Sequence, residues 1–334
     1  MYFSISAKTY SDILYAIFEG LKKSIPEPNL SEPQLVANIV YNIPNEINRV
    51  SGAIKCGGIF VHQQPFVEYS NMPDPKQKSV EIGDLLLLRS EINNGREIST
   101  SAMLLQAKKN DKFPIIPDNE NQHYLYAHWP VFKYCKKSGD LTGQQRCING
   151  LDVYNACKYL IFSESYIPFC YPDSNPPAIR RCFFDFIKLP LNTYTAHPSW
   201  PYLSSFISFP QELLNFIIGN AGKLYISSPP QNDGNWSGVI NDLKTITANH
   251  TSVIISRTTG IPHTKRGVSL FFSGDSSCLS FISKDNKQSI LISDEPPNVS
   301  NLENDIIEEE EGGISIIEFI VDTSDESHTR LRME

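Results

Sequence analysis

The sequence has no apolar run long enough to cross a bilayer. Its start, MYFSISAKTYSDILYAIFEGLKK, lacks the basic-then-apolar order of a secretory leader. The expectation is a cytoplasmic protein with no membrane partner. Seven cysteines (56, 135, 147, 157, 170, 182 and 278) are scattered without a CxxC pair or paired Cys/His spacing, which argues against structural zinc. An odd count without a leader fits reduced thiols, and the sequons at Asn235, Asn249 and Asn298 then read as chance matches. Also missing are a GxxxxGK[ST] loop, a GxGxxG after a strand, an HExxH helix and a GxSxG elbow. Those absences argue against ATP-driven and serine-hydrolase chemistry. No residue pattern reports a flavin, haem or nicotinamide cofactor, and there is no internal repeat.

Basic charge is scarce as well, but unevenly so. The net charge of −8 divides into −11 over residues 294–334, where thirteen acids face two bases (Arg330 and Arg332), and +3 over residues 1–293. The acidic excess belongs to the tail, so the body can host a basic groove and nucleic acid stays open as a partner.

What is present reads as a soluble α/β chain of 334 residues, 40% hydrophobic and 20% charged. Apolar spacing predicts a helix over 10–24. A second spans about 34–50, capped near Ser31 or Glu32, with Leu35, Ile39, Ile43 and Ile47 on its apolar face and a kink at Pro44. Strand-like runs follow at 57–69, 82–90 and 99–109, the last two joined by a tight reversal at Asn94-Gly95. A helix over 119–132 and a buried strand over 157–163 close this half. A proline-dense stretch after Ser165 suggests a boundary, which divides the chain into 1–165 and 166–334. The second half reads as α+β, with helices near 210–218 and 236–248 and strands at SVIISRT, GVSLFFS, SCLSFIS, QSILISD and ISIIEFIVD. No chemistry can be assigned to it.

The chemistry is concentrated in the hairpin. Side chains alternate along strands, so Asp84 shares a face with Leu86 and Leu88, and Gln106 shares one with Lys108. The runs LLLL and AMLL are apolar enough to be buried on both sides, and polar groups at their ends are costly unless paired or bound to an ion. A hard cation such as Mg²⁺ would take oxygen from Asp84, the Gln106 side chain and the Ala107 carbonyl. Lys108 would then stabilise an attacking hydroxide or developing negative charge.

Asp84, a hairpin, and then Gln106-Ala107-Lys108 resemble the PD-(D/E)XK nuclease superfamily, most closely the Mrr-type branch in which Gln replaces the usual acid. Gln122 and Tyr126 are similar to the QxxxY element of RecB-type nucleases, where this pair supports the metal site. The resemblance covers about the first half of the chain. It implies a restriction-endonuclease-like α/β/α core with a mixed sheet in the order αβββαβ. It also implies Mg²⁺ dependence (Mn²⁺ as substitute) and hydrolysis of phosphodiester bonds in DNA, in a context of antiviral defence. A Glu from the first core helix is implied too, with Glu46 first and Glu32 second, and Glu81 can help. Gly83 stands where the Pro of the motif would be. The clustered bases Lys109, Lys112, Lys133, Lys136, Lys137 and Arg146 are candidate phosphate contacts, with Arg257 to Arg266 a weaker set. The histidines 62, 123, 128, 197, 250 and 263 read as structural.

The missing acid at 106 keeps a second reading open, a catalytically inactive nuclease-fold protein serving as a nucleic-acid- or protein-binding subunit. The residues do not discriminate DNA from RNA. Nor do they separate a homodimer from a subunit of a larger defence complex.

Overall fold

The computed structural model describes residues 7–50, 52–62, 64–148, 153–165, 189–227, 235–257, 263–264, 267–268, 270–289 and 312–324. The helices are α1 (Ala7–Ser24), α2 (Glu32–Val50), α3 (Glu120–His128), α4 (Val153–Ala156), α5 (Phe209–Ile217), α6 (Trp236–Arg257) and α7 (Lys284–Ser289). The main strands are β1 (Ile54–Val61), β4 (Leu85–Asn93), β5 (Arg96–Lys109), β8 (Cys157–Ser163), β9 (Asn192–His197), β10 (Ser204–Ser208), β14 (Leu270–Gly274) and β15 (Ser315–Asp322). They form a mixed sheet in the order β10-β9-β8-β5-β4-β15-β1-β14, with β11 (Lys223–Leu224) alongside β5. A smaller sheet orders β3 (Val80–Glu81), β2 (Phe66–Tyr69), β6 (Phe132–Tyr134) and β7 (Gln145–Arg146) as β3-β2-β6-β7, and β12 (His263–Thr264) pairs with β13 (Gly267–Val268).

Both faces of the large sheet are covered, which explains its unbroken apolar runs. Leu85, Leu87, Met103 and Leu105 pack with α1, α2 and α5. Leu86, Leu88, Ala102 and Leu104 pack on the other side with α3, α6 and the small sheet. The hairpin at Asn94-Gly95 joins β4 to β5 as expected, with φ of 49° and 73° at its two central residues.

Helix α2 begins with half of a capping box. The Gln34 side-chain oxygen accepts from the Ser31 N–H (2.8 Å), which fixes Glu32 in the first turn. The helix continues through Pro44 without interruption. Proline has no N–H to give the carbonyl of Val40, and the Ser273 hydroxyl of β14 takes that carbonyl instead. The residue that should break the helix ties it to the sheet.

Several expectations change. The run 57–69 is two strands in different sheets, β1 and β2. SVIISRT is helical as far as Arg257, and SCLSFIS is a 3₁₀ turn (Ser276–Cys278) followed by loop. QSILISD begins at the end of α7, and its residues 290–294 lie outside the described residues, as do Lys265, Arg266 and most of the acidic tail. The division at 165 does not separate two cores. Strand β15, from the C-terminal half, sits between β4 (parallel) and β1 (antiparallel), in the middle of the sheet. Its residues Ser315–Phe319 are buried on both faces, a pattern that only an interior strand can satisfy. Among the described residues no helix is long and apolar enough to cross a membrane.

Candidate active site

Strand β4 begins directly after Asp84, while its partner β5 runs on past that point to Lys109. The unmatched end of β5 leaves backbone and side chains open to Asp84. The Asp84 N–H donates to the Leu105 carbonyl (3.0 Å), continuing the hairpin register by one bond. Its Oδ2 accepts from the Ala107 N–H (2.7 Å) and from the Gln106 amide. In a strand the N–H and C=O of one residue face the same edge, so the Ala107 carbonyl also faces the Asp84 side.

Helix α3 supports this arrangement from below. The Gln122 amide donates to Gln106 Oε1 (2.8 Å) and to the Glu81 carbonyl (3.2 Å), and the Tyr126 hydroxyl donates to the Ile82 carbonyl (2.9 Å). Asn119 caps the helix by accepting from the Gln122 N–H (2.9 Å), and that bond sets the rotation that turns Gln122 inward. Both members of the QxxxY pair are therefore buried and joined to the hairpin. Gly83 is required by the same packing. A Cβ there would lie 2.7 Å from both the Tyr126 hydroxyl and Leu104 Cδ1. Gly83→Ala should cost about 1–3 kcal/mol by forcing Tyr126 away from Ile82. A thermal or urea melt unchanged from wild type would contradict that account.

Lys108 shares the face of Gln106 and is mostly enclosed. Its Nζ lies 3.4 Å from Asp118 Oδ1 and 3.6 Å from Glu32 Oε2. Burial pulls the ammonium's pKa down, but Glu32, Asp118 and Asp84 together outweigh it and hold the pKa above the usual lysine value. The acids respond oppositely. Burial and then Glu81 push Asp84 well above the carboxylate range, against the Ala107 N–H and Lys108. Burial raises Glu81 against Lys137 and Lys108, and raises Glu32 against Lys108 and the Lys109 N–H. The site is short of positive charge. A shallow depression beside it is lined by Asp74, Gln77, Asp118, Asn119 and Glu120 together with Pro73 and Pro75.

Glu46 is not part of this group. It binds Lys23 (2.6 Å) and Arg49 (3.0 Å) fourteen residues further along α2, about 21 Å by helical rise. The glutamate that α2 brings to the hairpin is Glu32, whose Oε1 also accepts from the Lys109 N–H (2.7 Å). The Ser31–Gln34 spacing marks where the helix starts, but it does not say that this end meets the hairpin. Gln106 is in place, but its oxygen faces Gln122 and its amide faces Asp84, so it would have to rotate to offer oxygen to an ion.

The candidate phosphate contacts separate. Arg146 forms a buried two-point pair with Asp242 (2.6 and 3.1 Å) and is committed to structure. Lys109 turns its amine to the Pro28 carbonyl, and Lys133 pairs with Glu68 (2.5 Å). Lys137 lies over the Phe66 ring (5.6 Å) within electrostatic range of Glu81. Lys112 and Lys136 are exposed.

One residue had no sequence signal. Tyr159 of β8 is paired in register with Gln106, its hydroxyl is buried without a hydrogen-bond partner, and burial, followed by Asp118 and Asp84, raises its pKa. Only the parallel pairing of β8 with β5 brings it there.

Among the described residues no three His, Cys, Asp or Glu side chains converge as a ready metal site. No family model, curated protein or solved structure matches the chain.

Proposed function

We propose that the chain is a metal-dependent nuclease with a restriction-endonuclease-like core, hydrolysing phosphodiester bonds in DNA. The observation that carries this reading is the meeting of Asp84, Gln106, the Ala107 backbone and Lys108 at one open strand end, backed by Gln122 and Tyr126. The order α2-β1-β4-β5-α3-β8 supports the core assignment, with β15 as an added strand between β1 and β4.

The residues fit a divalent cation. Beyond burial, Glu81 and Glu32 both raise the pKa of Asp84, Glu32 raises that of Glu81, and a cation would relieve that repulsion. Asp84 and the Ala107 carbonyl would hold Mg²⁺ or Mn²⁺, joined by Gln106 after its amide rotates. Such an ion supplies Lewis acidity toward water and offsets charge on the phosphate. Lys108 stays protonated at neutral pH and offers its ammonium to the reacting oxygens. Glu32 and Asp118 hold that ammonium in position. Gln122 and Tyr126 fix the strand ends, so that the site needs little reorganisation. Antiviral defence, alone as a homodimer or within a larger complex, is the context we attach to this reading. It rests on the resemblance alone.

A second reading, an inactive nuclease fold that only binds nucleic acid or a protein partner, has one observation in its favour. The Gln106 amide already occupies Asp84, so the pair is satisfied without an ion. Melting temperature separates the two. Mn²⁺ or Mg²⁺ should raise the melting temperature of the wild type, and Asp84→Ala should abolish the shift. Equal shifts in both proteins would remove Asp84 as a ligand and leave the inactive reading.

A further inference from the structure

Beside the Asp84–Lys108 group the surface changes from charged to aromatic. The loop 110–118 that leads from β5 to Asp118 carries Phe113 and Ile116, exposed at 58% and 55%. A second loop, 198–203, lies against it and carries Trp200 (43% exposed) and Tyr202 (48%). The two loops are tied together by the Leu203 N–H donating to the Ile115 carbonyl (3.1 Å). The second loop is tied to α3 by His123 Nε2 and the Ser199 carbonyl (2.8 Å).

Trp200 is clamped on its inner side by three rings of α3. Its centroid lies 4.9 Å from His123, 5.8 Å from Tyr124 and 6.2 Å from the exposed His128. His123 follows Gln122, the residue bonded to Gln106, so this surface and the hydrolytic group share one helix. Large exposed rings on a soluble surface are costly unless they meet a partner. Rings already held rigid lose little conformational freedom when one docks on them.

We infer that this ledge binds unpaired bases, so that the substrate delivered to the Asp84–Lys108 group is single-stranded or frayed DNA. The inference rests on the nuclease reading for its substrate and deepens it. Flat rings accept any base by stacking and give no purchase on a duplex, whose bases face only one another. Lys112, adjacent to Phe113, is an exposed cation available to the backbone, and His128, beside Trp200, offers a ring N–H. Asp118 and Glu120 border the same surface, so attraction comes mainly from the ring faces and the salt dependence of binding should be shallow.

Trp200 also supplies the readout. The other two tryptophans, Trp129 and Trp236, are only 3% and 2% exposed, so quenching by nucleic acid reports Trp200. The experiment titrates the full chain, in Ca²⁺ to hold back cleavage, with an oligothymidylate and with a blunt duplex of equal length. The oligothymidylate should quench the emission and the duplex should not. Trp200→Ala should weaken single-strand binding, read by anisotropy of the labelled strand, by about ten-fold or more. Trp200→Phe, which keeps a ring, should recover much of that binding, and Phe113→Ala on the outer loop provides a second loss less exposed to folding failure. Glu46→Gln, whose carboxylate answers to Lys23 and Arg49 away from this surface, should bind and be quenched like wild type. Equal quenching by duplex and single strand, or unchanged affinity in both ring-removing variants, overturns the ledge, and so does silence toward every nucleic acid, which would make it a protein contact. Mn²⁺-dependent cleavage that persists despite such a result would keep the nuclease reading. Single-strand binding without cleavage in any metal would keep the ledge and end the nuclease reading.

Discussion

Replacing Lys108 with alanine is expected to lower Mn²⁺-dependent cleavage of plasmid DNA by about a hundred-fold or more while the protein stays folded. The magnitude is that of removing one preorganised charge aimed at developing negative charge in an enclosed site. Lys108 is the one cation that Asp84, Glu32 and Asp118 all hold in its charged form. No other described lysine or arginine is paired with these acids among the salt bridges, so a neighbouring base has no ready route to substitute. The same assay separates the two glutamates of α2. Glu32→Gln should reduce cleavage, because it removes the charge that helps hold the Lys108 ammonium while its amide oxygen still accepts from the Lys109 N–H. Glu46→Gln should leave cleavage intact, because Glu46 answers only to Lys23 and Arg49. Degradation by Lys108→Ala at the wild-type rate, with equal fold content by circular dichroism, would remove the hairpin from the chemistry.

The second large effect concerns stability and lies on the central strand. Glu318 of β15 is buried, with Oε2 lacking any hydrogen-bond partner, and its pKa is raised from 4.5 to about 7. Burial is the main cause. Lys244 of α6 and Lys287 of α7 oppose it, and Glu97 of β5 adds to it. Burial raises the pKa values of Cys278 and Tyr225 as well, and the same carboxyl adds to both shifts. The folded state therefore holds a proton that the unfolded state releases near 4.5. Stability from this group is complete below that value, declines through the interval, and is lost above about pH 7. The interval corresponds to about 3 kcal/mol. Chemical denaturation at pH 5.5 and pH 8 should show the wild type losing about 2 kcal/mol more than Glu318→Gln, which is the more stable protein at pH 8. Asp84 and Glu81 contribute in the same direction, so the comparison with Glu318→Gln isolates the share of β15. A Glu318→Gln protein that loses stability with pH as steeply as wild type would show that the charge is solvated or paired.

The hairpin, the helix that follows it and the strand after that were legible because each rests on local chemistry. Asn94-Gly95 sets the reversal, alternation sets which side chains share a face, and residues four apart on α3 share one helical side. The first two bring Asp84, Gln106 and Lys108 together, and the third pairs Gln122 with Tyr126; that this pair turns toward the hairpin was implied only by the resemblance. The choice of Glu46 over Glu32 failed because both lie on one helix, and its pattern does not say which end meets the sheet. The capping box of Ser31 and Gln34 fixes the start of α2, but only the docking of that start on the end of β5 makes Glu32 the neighbour of Lys108.

The division into two halves failed for a different reason. The proline-dense stretch after Ser165 is a real break in local structure signals, yet the strand that fills the centre of the sheet is β15, more than two hundred residues beyond β4 in the chain. A strand's neighbours are chosen by which buried faces match, and nothing local to ISIIEFIVD states that it will lie between Leu85–Ile92 and Ile54–Ile59. The pairing of Arg146 with Asp242, the orphaned hydroxyl of Tyr159 and the gathering of Trp200 onto α3 have the same origin. The sequence by itself determined the turn, the faces and the chemical types at the hairpin, since these depend on backbone geometry over a few residues. Tertiary structure alone decided which distant charges and rings complete the site, since contact energy acts between surfaces that the chain order leaves unrelated.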